Sequence, residues 1–165
     1  ILTVVLQSLT AQGMANLLRV TSTQVTGAVI VGCNPLTLLV ARLFAEREEP
    51  IALIDTAPEA RQQAEREGVR IFISSALDAE VLEEAGLPRV GTFLAATSNG
   101  EVNLVIAQKA AEEFRPPRLL AVFPRDPQVN TTPTSSKIRQ AFVPQAQIKI
   151  WSQYISDGAV KLGET

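Results

Sequence analysis

Along this chain, short unbroken runs of apolar residues alternate with longer stretches in which apolar positions recur every three or four residues. The rhythm starts at residue 27. Ala28-Val29-Ile30-Val31 predicts a buried strand, 36–47 a helix with Pro35 in its first turn, and Ile51-Ala52-Leu53-Ile54 a second strand. Two parallel strands around one helix make a βαβ unit. The pattern repeats with a charged helix over 58–67 stopped by Gly68, a strand at Arg70-Ile71-Phe72-Ile73, and a helix over 78–85 stopped by Gly86. A fourth strand follows at 92–96, then a helix over 101–114, and a fifth strand at 119–123 after Pro116-Pro117. Strands that are apolar on both faces belong in a parallel sheet covered by helices, so the expected class is α/β, a Rossmann-like doubly wound sheet.

Both flanks depart from this rhythm. From Ile1 to Val20 the only charged residue is Arg19, and the stretch is moderately apolar, interrupted by Thr3, Gln7, Ser8, Thr10, Gln12 and Asn16. It reads as the end of a membrane helix within a bundle, with a buried soluble helix or a cleaved signal as the alternatives. If it spans, Arg19 would lie on the cytoplasmic side together with the domain beyond it. Residues 21–26 form a short polar linker. At the other end, the core from 27 to 123 carries nine basic and fourteen acidic residues, whereas 124–165 carries five basic and three acidic. That change marks a boundary near Pro124. Within the extension, 131–136 reads as a loop, 137–142 and 148–155 as helix or strand, and 159–162 as the start of a further strand.

Composition removes much of the usual catalytic inventory. The 165 residues contain 15 Lys+Arg, 17 Asp+Glu, no His and a single Cys, with 46% apolar residues. A chain of this size and apolarity forms a core rather than remaining disordered. It lacks the residues for a Cys/His zinc cluster, a Ser-His-Asp or Cys-His pair, or an internal disulfide. Net charge −2 and 5% aromatic residues exclude a basic, stacking surface for nucleic acid. A lone thiol fits a reducing compartment.

In doubly wound folds ligands bind beyond the carboxyl ends of the strands. The first such turn is Gly32-Cys33-Asn34-Pro35-Leu36-Thr37. Against the dinucleotide fingerprint G-x-G-x-x-G it keeps Gly32 but has Asn34 and Thr37 at the second and third glycine positions. The second glycine normally admits a pyrophosphate to bare backbone and the third lets helix and strand pack closely, so both substitutions are expected to obstruct. Pro35 also removes one N–H from the helix N-terminus. Asp55, just after strand two, stands where an acidic residue would accept hydrogen bonds from ribose hydroxyls; otherwise it is a cap or loop residue before the next helix. Ser74, Ser75, Thr97 and Ser98 are neutral donors at the same sheet edge, or else caps for the helices beginning near Asp78 and Glu101.

The segments Val29-Ile30-Val31-Gly32, Ile54-Asp55, Leu77-Asp78-Ala79-Glu80-Val81-Leu82-Glu83-Glu84-Ala85-Gly86-Leu87 and Ala95-Ala96-Thr97-Ser98-Asn99-Gly100-Glu101-Val102-Asn103 resemble the RCK amino-terminal domain, also called TrkA-N or KTN, over about residues 26–127. The resemblance implies a cytoplasmic regulator of potassium channels, Trk/Ktr uptake systems or cation/proton antiporters, binding NAD(H) or an adenine nucleotide as a homodimer. It carries over Gly32, Asp55, Thr97, Glu101 and Asn103 as site residues. Asn34, Thr37, Ser75 and Val122 are altered counterparts, Ser74-Ser75 standing for the family's Gly-Asp and Val122 for the Arg of its strand. Residues 3–20 are similar to the final membrane helix of monovalent cation:proton antiporters. Together these features imply the carboxyl-terminal part of an antiporter in the inner membrane, with a regulatory, nucleotide-degenerate domain covalently attached. A purely structural dimerisation unit, a free-standing soluble subunit, or a Rossmann oxidoreductase or transferase fragment are the other readings. Against the enzyme, Lys109 is the only Lys of the core and Tyr154 the only Tyr of the chain.

Overall fold

The computed structural model describes residues 25–123, 137–142 and 148–158. Six parallel strands form one sheet in the order β3-β2-β1-β4-β5-β6: β1 Ala28–Val31, β2 Ile51–Asp55, β3 Arg70–Ile73, β4 Thr92–Ala95, β5 Arg118–Ala121 and β6 Arg139–Gln140. Because β2 and β3 are laid down on one side of β1 and β4 on the other, the order reverses between β1 and β4. Crossing helices are α1 Pro35–Glu46, α2 Glu59–Arg66, α3 Ala79–Glu84 and α4 Gly100–Glu113, and α5 Ile148–Ser156 follows β6. The expected α/β class is therefore observed, with element ends shifted by one or two residues, as is usual for helix boundaries.

The period of two along each strand sorts the core into two layers. Val29, Val31, Ile54 and Phe93 face one way, where Leu82 of α3 and Ile106, Ala107 and Ala110 of α4 cover them. Ala28, Ile30, Leu53 and Leu94 face the other, toward Ala41 of α1, Ala64 of α2 and Ile148 of α5. All four residues of β1 are buried, which explains why its sequence shows no polar face. Small residues carry much of the helix contact; Ala60 and Ala64 are the buried positions of the otherwise charged α2.

The segments that periodicity left undecided are assigned here. Residues 137–142 contribute the short parallel strand β6, paired to β5 through Leu120↔Arg139 and Ala121↔Gln140, and 148–155 belong to a helix that packs against α1. The proposed membrane helix over 1–20, residues 21–24 of the linker 21–26, the loop 131–136 and the strand expected over 159–162 lie outside the described residues. Among the described residues no helix is long and apolar enough to cross a membrane.

Candidate functional site

The reversal of strand order opens a crevice at the carboxyl ends of β1 and β4, the place where doubly wound folds bind ligands. Gly32 leaves β1 at φ +100°, in the left-handed region that glycine enters without steric cost. A Cβ there would stand 2.7 Å from the Ala96 carbonyl oxygen and 2.9 Å from the Thr97 nitrogen. The lips of the crevice thus approach too closely for a side chain at this position.

Asn34 and Thr37 close this turn upon itself. Asn34 is the N-cap of α1; its Oδ1 accepts from the Thr37 N–H at 3.1 Å, and Thr37 Oγ1 accepts from the Asn34 N–H at 2.9 Å, a reciprocal capping box with Pro35 at the first helical position. Thr37 is completely buried and its hydroxyl lies 2.7 Å from the Gly32 carbonyl oxygen. The Thr37 side chain thus stands in the place of the third glycine and bonds the turn from within. Asn34 Nδ2 donates across the crevice to the Ala96 carbonyl at 3.0 Å. The amide therefore joins the β1 lip to the β4 lip.

Asp55, at the end of β2, is engaged from both sides. Oδ2 accepts from the Cys33 N–H at 2.6 Å, and Oδ1 accepts from the Ala57 N–H at 2.9 Å. It is a turn residue and a tie to the neighbouring loop; the N-cap of α2 is Pro58, which makes no side-chain bond. Partial burial of the Cys33 thiol, and to a smaller extent the charge of this carboxylate, pushes its pKa from 9.0 to about 11. At neutral pH Cys33 is a protonated, weak nucleophile.

Thr97 and Asn103 form the opposite lip. Asn103, fully buried, accepts through Oδ1 from the Thr97 N–H at 2.9 Å and its hydroxyl at 2.6 Å. Its Nδ2 donates to the Thr97 carbonyl at 3.1 Å and to the Val122 carbonyl at 2.6 Å. One amide thereby staples the loop after β4 to the chain leaving β5. Val122 enters this arrangement through its backbone alone.

Hydrogen bonds link Gly32, Asn34 and Thr37 to one another and to the β4 lip, Asp55 to the neighbouring Cys33, and Thr97 to Asn103, whereas Ser75 and Glu101 take no part in these bonds. Ser75 is exposed and its Oγ accepts only from the Leu77 N–H at 3.2 Å among the described bonds; Glu101 is exposed at the start of α4. The expected caps also differ. Asp78 and Asn99, not the serines or Thr97, cap α3 and α4, each through a side-chain oxygen that accepts from backbone N–H groups of the first turn. Asn34-Pro35-Leu36-Thr37 has the spacing of a capping box with Pro at N1, and that signal could have identified the role of both polar residues. Among the described residues no group of three or more His, Cys, Asp or Glu could hold a metal.

The TrkA-N domain family matches residues 28–134. The Trk system potassium uptake protein TrkA of Streptomyces coelicolor is 30% identical over 87 residues, which are 52% of this chain and 39% of that protein. The chain therefore corresponds to about two fifths of that relative. The TrkA-N domain of the inner membrane protein ybaL of Escherichia coli superposes with a TM-score of 0.54 at 20% identity, over 70% of this chain and 87% of that one. The GsuK channel bound to NAD gives a TM-score of 0.54 at 17% identity, over 63% of this chain and 19% of that one. At these identities the two structures share the fold.

Proposed function

Since the chain belongs to the TrkA-N domain family, we propose that it is the regulatory part of a monovalent-cation transport system, biasing a transporter rather than breaking a bond. One observation carries the reading. The family match runs across the sheet and the crevice, yet the carboxylate in that crevice, Asp55, is held by two backbone N–H groups and the thiol beside it is a poor nucleophile.

In this reading the domain lies on the cytoplasmic side of the inner membrane, acts as a homodimer, and is covalently attached to a cation:proton antiporter whose last helix includes residues 1–20. The potassium uptake role in the name of the Streptomyces relative and the membrane origin of the ybaL domain support the transport context. Val102 and Val105 of α4, both exposed, suit a subunit contact. Control requires the domain to have two arrangements and its signal to favour one, because equal binding to both shifts nothing.

The test is proton-gradient-driven exchange of K+ and Na+ in vesicles bearing the full-length protein, with and without residues 27–142. Removal should change the exchange rate or its dependence on internal cation severalfold. Identical exchange in the two preparations would contradict a regulatory role, and absence of exchange with either cation would contradict the antiporter context.

A further inference from the structure

The fold family implies a diphosphate-bearing nucleotide in this crevice, and the residues present do not fit one. A diphosphate at a helix N-terminus is held by several free backbone N–H groups, assisted by basic side chains or by the positive end of the helix. From Gly32 to Thr37 those donors are already used. Gly32 N–H goes to the Ile54 carbonyl, Cys33 N–H to the Asp55 carboxylate, Asn34 N–H to the Thr37 hydroxyl and Thr37 N–H to the Asn34 amide, while Pro35 has none. On the facing lip, Ala96 N–H is bonded to the Val31 carbonyl and Thr97 N–H to Asn103. At most the Leu36 N–H is left in the turn, a single amide where a diphosphate needs several.

Charge points the same way. The loops after the first four strands, residues 32–34, 56–58, 74–78 and 96–99, contain no Lys or Arg. The anion beside the turn is Asp55 itself. Its Oδ2 sits on the Cys33 N–H, so an incoming phosphate would meet a fixed negative charge and would have to displace it.

We infer that this crevice is closed by the chain's own groups: the Asp55 carboxylate occupies an anion position at the turn, the Asn34 amide bridges the two lips, and the domain keeps its active fold without a diphosphate nucleotide. A signal to such a domain arrives through protein contacts. The inference concerns the same site as the regulatory reading but survives or fails separately, because a nucleotide-responsive domain would still regulate.

Titration calorimetry of the chain with NAD+, NADH, ADP and ATP should show no saturable binding up to millimolar concentration. Micromolar binding of any of them overturns the inference. Asn34→Gly combined with Asp55→Asn removes the bridge and the fixed charge, and ADP or NADH affinity should then rise at least tenfold. A folded double variant with no gain would show that these two groups do not close the site. Should the double variant not fold, Asp55→Asn alone serves: it should bind ADP more tightly than the wild type, and equal or weaker binding counts against the inference. Loss of cation-flux control on deleting the domain, measured separately, decides the regulatory reading whatever the calorimetry gives.

Discussion

The inner and outer parts of the sheet's carboxyl edge use the same kinds of residue to different ends. Around β1 and β4, Asn34, Thr37, Thr97 and Asn103 spend nearly all of their donors and acceptors on backbone groups, and two of the four are fully buried. In the loop after β3 and the first turn of α4, Ser75 and Glu101 stand in solvent. Polar residues at a switch point thus need not be ligands. Where the lips come within a Cβ of each other, they become the means by which two loops are held at fixed separation, because a buried, unpaired backbone group costs about 1–3 kcal/mol.

The contrast can be broken most forcefully at Asn103. Asn103→Ala deletes four bonds and leaves the Thr97 N–H and Val122 carbonyl without their partner, so we expect a loss of about 3–4 kcal/mol in urea unfolding. A loss below 1 kcal/mol would mean that water replaces the staple. Gly32→Ala should come next, at about 2–4 kcal/mol, since a left-handed backbone and a 2.7 Å approach to the Ala96 oxygen act together. Thr37→Val keeps the volume and removes the hydroxyl; about 2 kcal/mol is expected from the same measurement. At the two exposed positions, Ser75→Ala and Glu101→Gln should each stay within about 0.5 kcal/mol of the parent, and a larger effect at either would erase the distinction between the two regions.

Cys33 sharpens the comparison through pH. Its thiol is raised in the folded protein, so the proton is held in both states below pH 9.0 and the stabilisation is complete there. Between 9.0 and about 11 the unfolded chain ionises first and stability falls, with no further loss from this group above that window. Cys33→Ala should flatten that part of the alkaline stability profile. Iodoacetamide at pH 8 should also modify folded Cys33 at least tenfold more slowly than the unfolded chain, since fewer thiolates are present.

Much of the architecture was legible in the chain. Runs such as Ala28-Val29-Ile30-Val31, apolar at both periods of two, could be satisfied only by a strand covered on both faces, and the turn glycines and prolines fixed the helix limits to within a residue or two. Residues 137–142 and 148–155 were not legible, because a two-residue strand and a nine-residue amphipathic helix are too short for periodicity to separate. The crevice was legible as a location but not as chemistry. The single glycine after the first strand marked where the chain turns out of β1, whereas the roles of Asn34 and Thr37 depended on which backbone groups lay within hydrogen-bond reach, across 62 residues of sequence in the case of Asn34 and Ala96. Asp55 was the hardest to read, since the same position and charge serve a ribose or a neighbouring N–H equally well.

Hydrogen exchange at the Cys33, Asn34 and Thr37 amides, followed by NMR with and without 5 mM NADH or ATP, tests the closed crevice most directly. All three amides should exchange slowly in the nucleotide-free protein, and their rates should stay unchanged on addition of either compound. Fast exchange that becomes protected only when nucleotide is added would show that the turn awaits a ligand and that Asp55 does not fill its place.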